Sequence, residues 1–181
     1  MKQLLTLVLA LAMVLSLAAC GSKKNVQLMA DGGAVVVLSA DANNAVTSLS
    51  VAFRKQLAAK LGGEVQLNYD NTLDEKASGT RGLIGQTSQA ASTALYTQLA
   101  QAGGSRFGLL AADGCLAVGG TNEYLTYEAL DYLLTTILGS GGLTLEDGYS
   151  YLSDELPGCP DVREMLAEGR TPAFIAADIV C

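Results

Sequence analysis

The sequence predicts an α/β sandwich: a mixed β-sheet carrying about three main helices, with an N-terminal apolar leader and a short C-terminal extension. Three observations predict it. Apolar runs of strand length alternate with segments of helical spacing, and glycine closes most of them. Val46, Leu49, Phe53, Leu57 and Leu61 step by three and four, which places one apolar stripe along a helix. Residues 106–112 form an apolar run, Asp113-Gly114 follows, and Cys115-Leu-Ala-Val118 returns. Asp-Gly is well suited to positive φ at both centres of a two-residue hairpin turn. Crossovers and a hairpin in one chain imply a sheet that is part parallel and part antiparallel, with helices packed against it.

A chain of 181 residues holds one ordinary domain with appendages. Half of the residues are hydrophobic and 16% are charged, which fits a globular chain and not a disordered one. The net charge is −7; without residues 1–19, which carry Lys2 and no acid, ten basic residues face 18 acidic ones, giving −8. An acidic chain without a basic run is a poor partner for nucleic acid. There is no His and no Trp. Lack of His removes the commonest general base, the commonest metal ligand and the usual activator of a Ser or Cys nucleophile. Lack of Trp removes the best sugar-stacking ring, although seven Tyr remain. No cofactor and no metal are expected.

Residues 1–19 read as a secretory signal. Met1-Lys2 gives a positive start, residues 4–17 are almost wholly apolar, and Ala18 and Ala19 precede Cys20. The apolar run is shorter than the roughly 20 residues a spanning helix needs. Leu17-Ala-Ala-Cys20 resembles a bacterial lipobox. In such precursors the signal is cut before the Cys, its sulfur is lipidated and its new amino terminus is acylated. Two or three acyl chains, palmitate among them, anchor stably where one is marginal. The resemblance implies lipidation at Cys20 and a place on the extracytoplasmic face of the cell membrane. A spanning anchor, or secretion after cleavage near Ala19, is the alternative. Residues 20–33 then hold the lipidated Cys and a polar tether; the alternative is that Val26-Gln-Leu-Met29 adds an edge strand.

The expected domain spans residues 34–152. Its first strand is the β-branched run 34–38. Asn43 or Asn44 caps the helix through Leu61, and Gly62-Gly63 ends it. Residues 64–69 alternate as a half-buried strand, and residues 70–79 form a polar loop with three acids, solvated in preference to cation-binding. Residues 81–84 make a short strand before Gly85. Thr87 or Ser88 caps a helix through Leu95 and Leu99, which Gly103-Gly104 closes. After the hairpin, Gly119-Gly120 turns the chain and Thr121 or Asn122 caps the last main helix. That helix puts Tyr127, Leu130, Leu133, Leu134 and Ile137 on one face across the hairpin. Residues 143–145 and 149–152 are an edge strand and an exit. No internal repeat is present.

Residues 153–181 change character. Pro157 and Pro160 flank Cys159, a short helix runs through Val162, Met165 and Leu166 to Gly169, and residues 173–180 are strand-like. They form an extension, or begin a second domain of a longer protein. Cys115, Cys159 and Cys181 are an odd number of thiols in an oxidising location. Cys115 is expected to be a buried core thiol. Cys159 and Cys181 are available to pair, and sequence supplies no geometry for it. No close-spaced Cys pair makes a metal site.

No catalytic residue emerges. Asp113 is explained by its turn. Gly82, Gly85, Gly119 and Gly120 lack the Gly-Lys-Ser/Thr of a phosphate loop. Ser48, Ser88 and Ser92 lack a Gly-x-Ser-x-Gly elbow. Tyr124, Tyr127 and Tyr132 lie at near-helical spacing; Tyr127 is expected inward, with Tyr124 or Tyr132 able to offer a ring to a sugar.

Two phrases carry a family resemblance: Thr80-Arg-Gly-Leu-Ile-Gly-Gln-Thr-Ser88, and Gly108-Leu-Leu-Ala-Ala-Asp-Gly-Cys-Leu-Ala-Val-Gly-Gly-Thr-Asn122 with the helix after it. Together they resemble the small α/β domain that precedes the catalytic barrel of beta-hexosaminidases and alpha-glucuronidases, over roughly residues 34–145. The resemblance implies a domain without catalytic residues of its own. No barrel of about 250 residues follows. The expected function is therefore a membrane-anchored, extracytoplasmic, non-catalytic accessory or binding module linked to carbohydrate processing, with a glycan or surface protein as partner. The alternative is the front part of a surface lipoprotein hydrolase whose catalytic domain lies beyond Cys181.

Overall fold

A computed structural model of the chain describes residues 25–28, 33–73, 80–141 and 144–156. Among these, the elements follow in the order β1 Val26–Gln27, β2 Ala34–Leu38, α1 Asn44–Leu61, β3 Val65–Tyr69, β4 Thr80–Ile84, α2 Ala90–Ala102, β5 Phe107–Ala112, β6 Cys115–Gly120, α3 Glu123–Tyr132, a wider helical turn Leu133–Ile137, β7 Thr144–Leu145 and β8 Ser150–Leu152. Six strands form one sheet in the order β3-β2-β4-β6-β5-β8. β3, β2, β4 and β6 run parallel, while β5 is antiparallel to both β6 and β8. The expected mixed α/β sandwich with three main helices is the observed fold.

Alternation along β2 explains the layers. Val36 faces one side, where it joins Leu49 and Phe53 of α1 and Leu125, Ala129 and Leu130 of α3. Val35 and Val37 face the other, with Leu95 and Leu99 of α2. Every β2 residue is buried, as suits a parallel strand covered on both faces. The stripe on α1 is the one its sequence spacing predicts: Leu49, Phe53, Leu57 and Leu61 are buried. Asn43 supplies its cap, accepting from the Val46 N–H, and Gly62 at φ 68° ends it.

The hairpin forms in the expected register, with Ala112 opposite Cys115. Asp113 (φ 53°) and Gly114 (φ 75°) both take the left-handed conformation of a two-residue turn. A Cβ at Gly114 would meet nothing within 4 Å, so only backbone strain opposes a side chain there. Gly114→Val is expected to cost about 1–3 kcal/mol in equilibrium urea unfolding. A midpoint equal to that of the parent would contradict the turn.

Several expectations need correction. Gly119 and Gly120 continue β6 and do not turn the chain. Their lack of a Cβ serves close packing instead: at Gly120 it would lie 2.4 Å from the Leu125 carbonyl carbon. Neither Thr87 nor Ser88 caps α2; Gln89 holds that position without a side-chain cap bond. The Thr87 N–H is bonded by the Ser92 hydroxyl reaching back from the helix. The last helix widens at its end, where Leu138 N–H reaches Leu133 O at 2.9 Å, five residues back. Val26–Gln27 is a strand, paired antiparallel with β7, and Val26 and Leu28 are buried. Packing thus begins upstream of residue 34, where the domain was expected to start. Cys115 is half-buried and not a core thiol, because it sits beside the hairpin turn; burial, its largest influence, raises its pKa. Cys20, Cys159, Cys181, both prolines beside Cys159, and the strand-like run 173–180 lie outside the described residues.

Candidate functional site

The topology opens a crevice. From β2 the chain passes to α1 on one face of the sheet, while from the neighbouring parallel β4 it passes to α2 on the other. Connections that diverge at the carboxyl ends of adjacent parallel strands leave a gap between them, the usual ligand position in open α/β sheets. Here the gap measures about 550 Å³. Ile84, Gly85 and Gly120 line it from the ends of β4 and β6. Ser39, Asp41 and Asn43 line it from the β2 loop, Tyr96 from α2, and Asn122, Glu123 and Thr126 from α3.

Two helix N-termini meet there, joined by one side chain. Asn43 Oδ1 accepts the Val46 N–H at 2.9 Å, and its Nδ2 donates to Glu123 Oε1 at 2.7 Å, 80 residues away in sequence. Asn122 caps α3 through its Oδ1, which accepts the Leu125 N–H at 2.9 Å. Glu123, in the first turn of α3, suits the positive end of the helix dipole and offsets it. The Thr126 hydroxyl accepts the Gly120 N–H at 3.2 Å and donates to Asn122 O at 3.0 Å.

Tyr96 crosses from the opposite face of the sheet. It fits because Gly85 and Gly119 have no side chains; a Cβ at Gly119 would lie 2.6 Å from its Oη. The hydroxyl donates to Gly120 O over 3.4 Å. Burial pushes its pKa up to about 12, with the Glu123 charge adding to the rise and a hydrogen bond with Thr126 opposing it. At neutral pH it is a protonated donor and not a base.

Asp70 fixes the rim. Its Oδ1 accepts the Ala40 N–H at 2.9 Å and its Oδ2 the Ser88 N–H at 2.8 Å, tying the loops after β2, β3 and β4 together. Desolvation is the largest influence and raises its pKa, but hydrogen bonds from Ser88, Ala40 and Asn71 together outweigh it and hold the carboxyl below its ordinary value. A lowered folded pKa means that this stabilisation is full above the unfolded value and is lost as pH falls through the folded one. Asp70→Asn is expected to cost about 1 kcal/mol at pH 7, a charge-assisted bond discounted for exposure. The difference in urea midpoint from the parent should shrink by pH 2.5; an equal difference at both pH values would contradict the role.

No Lys or Arg lines the crevice, and Asp41 and Glu123 are acidic. An anionic ligand meets like charge there, whereas a neutral ligand rich in hydroxyls meets amides, hydroxyls and a phenol. Among the described residues no group of three or more Cys, Asp or Glu is placed to hold a metal ion. Nor is any described helix long and apolar enough to cross a membrane.

The tyrosines singled out by spacing are elsewhere. Tyr132 stacks on Tyr151, with ring centroids 4.3 Å apart and planes 8° from parallel, and Phe107 lies 5.9 Å from each. Tyr124 and Tyr127 lean on one another at 6.1 Å. One face of Tyr132 is thus covered by Tyr151. Spacing did not single out Tyr96; the signals that point to the crevice are Gly85 directly after a strand and the Asn caps after two others.

No protein-family model matches the chain, and no curated protein matches it. Among solved structures, it is similar to two glycoside hydrolase family enzymes. One is a GH138 enzyme targeting pectin rhamnogalacturonan II, at 16% identity and a TM-score of 0.44, covering 66% of this chain and 15% of that one. The other is CpGH84D, at 16% identity and a TM-score of 0.47, covering 73% of this chain and 21% of that one. The chain spans about a fifth or less of either enzyme's length, so what it is similar to is a small part of each.

Proposed function

We propose that this chain is an extracytoplasmic, lipid-anchored module that binds a neutral, hydroxyl-rich ligand without transforming it, and that this ligand links it to carbohydrate processing. The observation that carries the reading is the crevice beyond β2, β4 and β6: it offers hydroxyls, amides and one protonated phenol, and no cation. Glycoside cleavage needs an acid and a second carboxylate on either side of the bond. Here one Glu123 oxygen accepts from Asn43 within a structural tie between helices, and the chain has no His to activate a nucleophile.

The full chain in detergent, titrated calorimetrically with neutral saccharides, should show saturable binding. Tyr96→Phe keeps the ring, removes the hydroxyl and should weaken that binding about five- to tenfold. The same preparation should leave nitrophenyl glycosides and esters intact. Turnover that survives repurification and vanishes on changing one carboxylate would overturn the non-enzymatic reading. Anchoring has its own test. The protein expressed in a bacterium should incorporate labelled palmitate, and Cys20→Ala should abolish the label; labelling that persists would refute lipidation at Cys20.

A further inference from the structure

A second cavity of about 420 Å³ adjoins the crevice. The two share Gln86 and Tyr96, so these residues stand between them. Beyond these two residues the lining is one stripe of α2: Thr93, Thr97, Ala100 and Gln101. The spacing is that of a single helical face. All four are exposed and none is charged. The Thr93 and Thr97 hydroxyls donate back to the carbonyls of Gln89 and Thr93, which leaves their lone pairs as acceptors toward solvent. Each cavity by itself lies within the roughly 300–1,000 Å³ of ordinary small-molecule sites.

We infer that the two cavities form one extended groove for a linear, uncharged oligosaccharide: one unit sits in the crevice and the following units run over Gln86 and along the Thr93–Gln101 face of α2. The inference rests on the crevice being a binding site for neutral hydroxylated ligands, and it adds chain length and direction. Uniform polarity suits a repeating ligand. A monosaccharide fills the crevice alone, whereas a longer chain adds hydroxyl contacts in the second cavity at little further cost in overall translational freedom. An anionic chain gains nothing there, since the stripe offers no positive charge.

The test is a length series on the full chain in detergent: neutral pyranose saccharides of one to five units, with linear alditols of matching hydroxyl count as controls. Affinity should rise at least tenfold from one unit to three and then level off, and alditols should show no such rise. The double variant Thr97→Ala with Gln101→Ala should reduce the three-unit affinity to that of the single unit and leave the single-unit affinity unchanged. Equal affinity at all lengths, or an equal loss at every length in the variant, would overturn the groove while leaving the crevice as a site. A rise shared by the alditols would overturn its selectivity for saccharide chains. No binding at any length would overturn both readings.

Discussion

Leu130→Ala is expected to cost about 2–5 kcal/mol, a large fraction of the stability of a domain this size. Leu130 is fully buried, at 0% exposure, on the face of α3 that covers the hairpin and meets α1. It belongs to the same buried cluster as Phe53, Leu116, Val118 and Leu134, so truncation leaves a cavity inside a core built from several elements. Because those elements are themselves packed, the cavity cannot collapse cheaply, and the cost should fall in the upper half of the range. Urea unfolding followed by far-UV dichroism measures it. A loss below about 1 kcal/mol would mean that α3 does not hold the sheet as described.

Gly120→Ala should act on stability and site together. Its Cβ would lie 2.4 Å from Leu125 Cβ and carbonyl carbon and 2.7 Å from the Thr126 nitrogen, and a helix backbone yields less readily than a side-chain tip. Accommodation requires the start of α3 to lift from the end of β6. That movement stretches the Gly120–Thr126 bond and shifts Asn122 and Glu123 away from Asn43. The expected cost is about 1–3 kcal/mol, the usual penalty of overpacking. Saccharide binding should weaken with it, since Gly120, Asn122 and Glu123 all line the crevice. Full stability in this variant would show that the contact is not tight.

The fold was legible where local chemistry and tertiary packing agree. The α1 stripe and the Asp113-Gly114 turn follow from spacing and from φ preference, and both are observed; of the face expected on the last helix, Leu130, Leu133 and Leu134 are buried, while Tyr127 and Ile137 are half-buried. The sequence misled where a residue serves a distant neighbour. Gly119 and Gly120 resemble a turn pair, yet they are strand residues kept bare for Tyr96 and Leu125. β1 has only two residues and depends on β7 more than 100 positions later, so the local pattern offers that strand only as the alternative to a tether. The crevice was hidden for the same reason. Asn43 and Asn122 are readable as caps, but their meeting around Glu123 depends on strand order, which periodicity does not encode. Tyr96 follows a helical pattern like its neighbours, and only the sheet beneath it reveals where its hydroxyl goes.

The most direct test of the binding account is an amide chemical-shift map of the full chain in detergent, titrated with a neutral trisaccharide. The account predicts saturable shifts concentrated at residues 39–43, 85–86, 93–101 and 120–123, with little change along β3 or in the Phe107–Tyr132–Tyr151 cluster. Shifts centred on that aromatic cluster, or no saturable shift at concentrations where a weak lectin would be occupied, would contradict it.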